Sequence, residues 1–163
     1  MDYQDQKAFR QRTKHEQRLV KEHGAVPPPY VVYPTIHPIE IFWRMGHGES
    51  YKYFFSDWLQ KENMTEEARI EYFRKFPPPP LWLTWTADCI WRIAERAEEE
   101  GEDEDETEEF SLDPYEFDYW VYFRRMAALG FGTELDCKRA WDEVDDELEE
   151  RQRAAKRAEK TAK

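Results

Sequence analysis

Apolar residues in this chain recur with the 3.6-residue period of an α-helix, and many of them are aromatic. The fullest example places apolar side chains at i, i+3, i+4, i+7 and i+8, namely Tyr51, Phe54, Phe55, Trp58 and Leu59. A stripe of this width predicts an amphipathic helix with one face in a core. Residues 30–33 form a run typical of a short strand, yet a proline ends it and no partner strand is evident.

Short signals mark where further helices begin and end. Pro38 is a favourable first helical residue, and Ser50 and Thr65 are favourable N-caps for two helices that follow. The Gly46-His47-Gly48 run is expected to end the helix that starts at Pro38. Gly130 is a natural C-cap for a later helix. These signals predict helices joined by short loops.

Three helical patterns fill the second half of the chain. Apolar residues from position 81 to about position 98 predict one helix, and Pro114 restarts another. Thr133 with Asp136 imitates the capping box of a last helix that continues toward the C-terminus. We therefore predict an all-α fold: an irregular bundle of five or six helices with an aromatic-rich core, two polyproline connectors and charged terminal arms.

Composition alone would suggest disorder, because Leu, Ile, Val and Phe make up under a fifth of the residues and the net charge is −12. The aromatic residues change that expectation. Phe, Trp and Tyr together number 26, against 20 for Leu, Ile and Val. Each Trp or Tyr brings roughly 150–250 Å² of buriable surface. We expect a folded core that includes Trp58, Trp85 and Trp120.

Charge divides the chain into three parts. Residues 1–24 carry a net +2 and residues 151–163 a net +5, whereas residues 25–150 carry −19. We interpret residues 1–24 as a basic arm or loose helix, residues 25–150 as an aromatic-rich helical domain, and residues 151–163 as a basic helix end or tail. Residues 98–109 hold ten acids in twelve positions, which predicts a mobile solvated loop over 98–110. A body this acidic repels phosphate backbones, so we expect it to bind no nucleic acid.

Two proline segments match short recognition motifs. Pro27-Pro28-Pro29-Tyr30 has the PPxY pattern that WW domains bind, and Phe76 with the four prolines after it resembles the ligands of EVH1 domains. A preformed polyproline helix loses little entropy when it docks into an aromatic-lined groove. The alternative is that both segments are rigid connectors whose prolines pack on aromatic rings of the same chain.

Candidate chemistry is sparse. The string from Gly46 to Ser50 contains His47 and Glu49, residue types that catalyse proton transfer, but it matches no nucleophile elbow and no phosphate-binding loop. A metal site would need His37 and Glu40 to converge with them, and none of the four makes a His-x-x-x-His pair. We expect a turn between helices here, and we expect no catalytic residue, cofactor or metal.

The ends of the chain and its two cysteines favour a cytoplasmic protein. The N-terminus is polar and lacks the apolar stretch of a secretory signal, and no run approaches the length of a transmembrane helix. Cys89 and Cys137 are far apart within helical patterns, so we expect reduced, buried thiols.

Three function classes stay open. The leading hypothesis is a non-enzymatic protein–protein interaction protein, such as an adaptor, assembly chaperone or accessory subunit, encoded for instance by a phage or mobile element. Its partner is another protein or a second copy of the chain, with no small-molecule substrate evident. The candidate partner-binding residues are Trp141, Val144 and Leu148, an apolar seam on the last helix, and Pro27, Pro28, Pro29 and Tyr30. The alternatives are an acidic mimic of nucleic acid that inhibits a nuclease or DNA-binding protein, and a small enzyme using the His47/Glu49 turn.

Overall fold

The computed structural model describes the backbone of residues 3–93 and 120–161 and the side chains of residues 12–93 and 121–158. Within these ranges the chain forms seven α-helices, two 3-10 turns and no strand, which confirms the all-α prediction. The helices are α1 (Tyr3–His23), α2 (Pro29–Val32), α3 (His47–Glu62), α4 (Glu66–Lys75), α5 (Leu83–Trp91), α6 (Trp120–Ala128) and α7 (Glu134–Thr161). The chain divides into two compact units, Met1–Ala68 and Arg69–Lys163. The domain boundaries expected from composition stay a prediction.

The first unit begins with α1, which ends at His23, one residue before a glycine. Gly24 has φ +81° and its N–H donates to the Val20 carbonyl at 2.8 Å, so it closes the last turn as a left-handed residue. Of the prolines that follow, Pro28 is extended, with φ −63° and ψ 158°. The short strand that the run at residues 30–33 could have formed is not present. Pro29 occupies the first turn of α2, where its fixed φ suits a helix and its missing N–H costs nothing.

The prediction of a helix from Pro38 and a second one capped by Ser50 is wrong. Only a 3-10 turn forms at Ile41–Trp43, and α3 starts three residues before Ser50, after Gly46 with φ +76°. Ser50 lies inside the helix, and its hydroxyl donates to the Gly46 carbonyl at 2.8 Å. The glycine run does not end a helix, because Gly48 belongs to α3. It lets the helix approach the turn, since a Cβ there would lie 2.5 Å from Phe42 Cδ1 and nearer still to the Phe42 carbonyl oxygen.

The core of the first unit is the predicted aromatic face of α3. All five residues of that stripe are buried, and Phe55 is 1 % exposed. Tyr33 packs edge-on against Phe42, Trp43 and Tyr51 with ring centroids 4.9, 5.7 and 5.8 Å apart. Edge-to-face pairs of this kind add to the free energy gained from burial alone. The α3 stripe is therefore a core face, as its periodicity predicts.

The unit boundary after Ala68 falls within α4, and the second unit contains the rest of α4, the proline connector and α5. Thr65 caps α4 as predicted, because its Oγ1 accepts the N–H of Ala68 at 3.2 Å. The helix predicted from position 81 to about 98 is shorter in the structure: α5 ends at Trp91 and Arg92 is left-handed, with φ 55°. The Arg69 guanidinium donates to the Ile90 carbonyl at 3.1 Å, which places a cation on an orphan acceptor of the helix end. The acidic residues 98–109 and Pro114 lie outside the described residues.

Helices α6 and α7 are joined by the capping motifs that the sequence predicts. Gly130 N–H donates to the Ala127 carbonyl and Phe131 N–H to the Met126 carbonyl, both at 3.0 Å, and Gly130 has φ +81°. This is a Schellman motif. Thr133 then starts α7 with a capping box, since its backbone N–H donates to Asp136 Oδ2 at 2.8 Å and its Oγ1 accepts from Asp136 N at 3.1 Å.

The predicted core tryptophans are buried where their side chains are described. Trp58 is 5 % exposed and Trp85 is 7 % exposed, while the Trp120 side chain lies outside the described side chains. Both cysteines are free thiols; Cys137 is buried as expected, whereas Cys89 is half-buried. Burial, followed by the charge of Asp88, raises the pKa of the Cys89 thiol well above its ordinary value, which suppresses the reactive thiolate. Cys137 is fully buried in α7.

Candidate functional site

An open groove in the first unit contains His47 and Ser50, two residues of the string from Gly46 to Ser50 that the sequence singles out. We call it the His47 groove. Its volume is about 400 Å³, and it is lined by Arg12, His15, Tyr33, His47, Ser50, Tyr51, Tyr53 and Phe54. Three segments supply these residues: α1, the loop after α2, and the first two turns of α3. The groove thus joins cationic and hydroxyl groups to an aromatic wall.

Helix α1 is attached to α3 by charged and aromatic contacts. The Arg12 guanidinium donates to Asp57 Oδ2 at 2.5 Å and lies 5.5 Å from the centroid of the Phe54 ring. One turn further along each helix, Lys61 and Glu16 pair at 3.3 Å. Leu19 is 5 % exposed and supplies the apolar anchor. Because exposed ion pairs are individually weak, the aromatic and apolar contacts hold α1 more than the pairs do.

His15 is a neutral aromatic residue of the groove. Its ring centroid lies 5.2 Å from that of Phe54 and 6.4 Å from that of Tyr51. Desolvation lowers the pKa of His15 first, and the Arg18 charge adds to this while Glu22 opposes it. Arg18 Nη2 lies 3.2 Å from His15 Nδ1, and an arginine can only donate, so Nδ1 accepts and the proton sits on Nε2.

Tyr51 forms the buried floor of the groove. Its hydroxyl donates to the Pro27 carbonyl at 2.8 Å, and burial together with the neighbouring Tyr33 phenol raises the pKa of Tyr51 above its ordinary value. Tyr51 therefore stays a neutral hydrogen-bond donor and fixes the proline segment to α3. Tyr53, in contrast, is 67 % exposed at the groove margin.

The His47/Glu49 turn is only partly assembled into this groove. His47 is exposed at the first position of α3 and lines it, but Glu49 is not among the lining residues. The Ser50 hydroxyl proton is used on a backbone carbonyl, so this hydroxyl is not set up as a nucleophile. Glu40 is engaged elsewhere, because the backbone N–H of His37 donates to Glu40 Oε1 at 3.1 Å. No cluster of three or more metal-ligating side chains occurs in the described part of the chain.

The candidate proline motif in the first unit is packed inward. Pro27, Pro28, Pro29 and Tyr30 are all buried, and Tyr30 is 5 % exposed. The Pro27 carbonyl is occupied by the Tyr51 hydroxyl. In this arrangement the four residues form a connector that packs on the aromatic core. Their role in binding a partner stays a prediction.

The candidate seam on α7 is largely occupied within the second unit. Trp141 is 7 % exposed and Val144 is 6 % exposed, and Leu148 is half-buried. In this unit α7 packs against the 3-10 turn Pro80–Trp82 and against α6. The first four turns of α7 are thus part of the core. A partner-binding role for these three residues also stays a prediction.

Beyond Leu148, α7 continues as a charged helix whose described side chains are exposed. Residues 149–158 are all exposed and the helix runs to Thr161. We call residues 149–161 the C-terminal arm; at 1.5 Å per residue it is about 20 Å long. Pairs one turn apart support it: Glu147 lies 3.9 Å from Arg151, and Glu149 lies 2.6 Å from Arg153. In both the acid precedes the base, the favourable order on a helix.

The groove residues contributed by α1 and by the loop are missed by the sequence analysis, which treats the first segment as a basic arm or loose helix. Arg12, His15, Glu16 and Leu19 are spaced i, i+3, i+4 and i+7, so a helical face exists, but only one of its members is apolar. Within the described ranges, no helix is both long enough and apolar enough to cross a membrane. Comparisons with models of protein families, with curated proteins and with solved structures find no match for this chain.

Proposed function

We propose that this chain is a protein–protein interaction protein, acting as an adaptor, assembly chaperone or accessory subunit, and that the C-terminal arm is its main binding element. One observation carries the proposal: a helix rooted in a core continues for about four turns with every described side chain in solvent. A helix that is polar on all sides gains nothing from burial in its own unit. The exposed, charged side chains of the arm are therefore accessible to a partner.

The charge pattern of α7 suits an oriented contact. Residues 142–150 contain seven acids and residues 151–163 contain six bases and one acid. The acidic half precedes the basic half, which also matches the helix macrodipole. Two such helices packed antiparallel, or one packed on a partner of complementary charge, would bring opposite charges together. Charges of this kind set orientation and association rate more than affinity.

The test compares the tagged intact chain with a chain that ends after Leu148. This cut keeps Cys137, Trp141 and Val144, which the second unit buries. Each form is used to capture partners from the native host, and the mass of each purified form is measured by light scattering. Lys14→Gln with Lys21→Gln is the matched control, because both lysines are exposed and this change removes charge from α1 instead.

We expect the intact chain and the lysine control to capture the same partner in stoichiometric amounts, or to share the same oligomeric mass, and the shortened chain to do neither. Unchanged tryptophan emission and a cooperative unfolding transition would show that the shortened chain is folded. If the shortened chain keeps both the partner and the mass of the intact chain, then the arm only improves solubility and the proposal is wrong.

A second candidate is an acidic mimic of nucleic acid, and the first half of the charged region of α7 favours it. The seven acids of residues 142–150 are all exposed on a fixed helix. Nine helical residues span about 13 Å, so these acids supply one charge per about 1.9 Å, close to the ~1.7 Å of duplex DNA. Competition separates the two candidates: duplex DNA should displace the partner of a mimic, and it should leave an adaptor complex intact.

A further inference from the structure

The second proline segment, residues 77–80, is largely exposed to solvent, whereas the first segment is buried. Pro77, Pro79 and Pro80 are exposed and only Pro78 is buried. All four residues of the first segment, Pro27 to Tyr30, are buried. The two segments look alike in sequence, and burial alone distinguishes them. Among the described residues, only 77–80 present proline rings to solvent as a group.

The exposure follows the three-residue period of a polyproline II helix. Pro79 has φ −62° and ψ 155°, close to the values of that helix. Pro77, Pro78 and Pro79 each precede a proline, which favours the extended conformation, and the 3-10 turn begins at Pro80. Pro78 is the buried residue of this stretch, so its edge faces the unit. Pro77 and Pro80 share another edge, one turn and about 9 Å apart, and both are exposed. The outward edge is therefore a Pro-x-x-Pro pair.

Both ends of the segment are held by the fold. Before it, α4 ends at Lys75 and the Phe76 ring lies 5.2 Å from that of Tyr72. After it, the N–H of Trp82 donates to the Pro79 carbonyl at 2.9 Å, and the Trp82 and Trp85 rings meet edge-on at 5.5 Å. Proline itself fixes φ within the segment. A ligand that is fixed before binding loses little conformational entropy on docking.

We infer that residues 77–80 are a docking surface for a domain that binds polyproline II helices in an aromatic-lined groove. The Pro77/Pro80 edge enters such a groove, because its rings are apolar, exposed and spaced by one turn. The inference rests on the proposed interaction function and names a class of partner for a second surface. That surface is separate from the C-terminal arm, so the chain that ends after Leu148 retains it.

The experiment titrates the intact chain into three isolated, ¹⁵N-labelled domains of the polyproline-binding type: one SH3, one WW and one EVH1 domain. Chemical-shift changes at the aromatic groove of the domain report docking. The test variant is Pro77→Ala with Pro80→Ala. The matched control is Pro34→Ala, which removes an exposed proline that belongs to no run.

We expect at least one domain to bind through its groove, the double variant to bind at least tenfold more weakly, and the control to bind unchanged. A free peptide of residues 76–81 should compete for the same groove, which tests the surface even if the double variant is unstable. The inference is overturned if no domain binds, or if binding survives the double substitution in a folded chain. If the chain cut after Leu148 binds one of the domains, this inference is supported even when the arm proves not to bind a partner. The failure of one proposal can therefore be told apart from the failure of the other.

Discussion

Replacing Gly48 by alanine should destabilise the first unit, although alanine is the better helix former. In α3, a Cβ at this position would lie 2.5 Å from Phe42 Cδ1, 2.6 Å from Phe42 Cε1 and nearer still to the Phe42 carbonyl oxygen. The ring can rotate away, but the carbonyl belongs to the 3-10 turn Ile41–Trp43. Either the turn moves off the helix or the helix start is distorted.

The two opposing effects can be compared in magnitude. Gly→Ala in a helix stabilises by up to about 1 kcal/mol. Overpacking a well-packed contact costs about 1–3 kcal/mol, and a clash with backbone belongs at the upper end. The expected net effect is a loss of about 2 kcal/mol in the free energy of unfolding, or a urea midpoint lowered by about 1 M for a slope near 2 kcal/mol per M.

Unfolding should be followed by the amide signals of α3, so that the first unit is reported by itself. Ser56→Ala is the matched control, because Ser56 is exposed on the same helix and alanine there should stabilise by a few tenths of a kcal/mol. A Gly48→Ala protein at least as stable as its parent would show that the turn does not approach the helix as described.

Three further predictions concern the cores, the last helix and α1. Trp58→Ala and Trp85→Ala should each cost about 3–5 kcal/mol of stability in thermal or urea unfolding, because both rings are buried; a melting temperature within a degree or two of the parent would contradict this. Thr133→Ala should cost about 1 kcal/mol of stability. It should also raise the pKa of Asp136, which the side-chain and backbone hydrogen bonds of Thr133 lower from its ordinary value. The stability contributed by Asp136 is present above its unfolded pKa and is lost as pH falls through its folded pKa, and an NMR titration in which the pKa of Asp136 does not move would refute the cap. His15 has a folded pKa below its unfolded value of about 6.5, so the first unit should lose stability as pH falls from 7 through that value, and His15→Gln should remove this part of the pH dependence.

The parts of the fold that the sequence predicts correctly are those decided within a few residues. The Thr65 cap, the Gly130 C-cap and the Thr133 capping box each involve atoms no more than five residues apart. The α3 stripe is equally local, because a helical period alone places its aromatic residues on one face. Such features do not depend on the rest of the fold.

The wrong predictions have tertiary causes. Gly46-His47-Gly48 reads as a helix breaker because glycine is the poorest ordinary helix former. In the structure Gly48 is inside α3, since the Phe42 backbone leaves no room for a side chain. Phe42 lies only six residues before Gly48, but no pattern in the sequence between them predicts the contact. The same limit applies to the end of α5, where Arg92 takes the left-handed conformation that glycine usually takes.

The His47 groove shows the same limit at the level of a site. His47 is identified from its sequence context, whereas Arg12 and Tyr33 reach the groove from segments that lie 14 and more residues away along the chain. Glu49, its predicted companion, does not line the groove. The burial of one proline segment and the display of the other are likewise decided by what packs on them. A motif in the sequence identifies the chemistry but not its accessibility.

Tryptophan emission of the intact chain tests most directly the idea that buried aromatic rings replace an aliphatic core. Six of the seven tryptophans are at most 7 % exposed, including Trp43 and Trp91 at 2 %. The native emission should be shifted to the blue of the urea-unfolded chain and should move to the red in a cooperative transition. Native emission at the wavelength of the unfolded chain, or a gradual shift without a transition, would contradict the aromatic core.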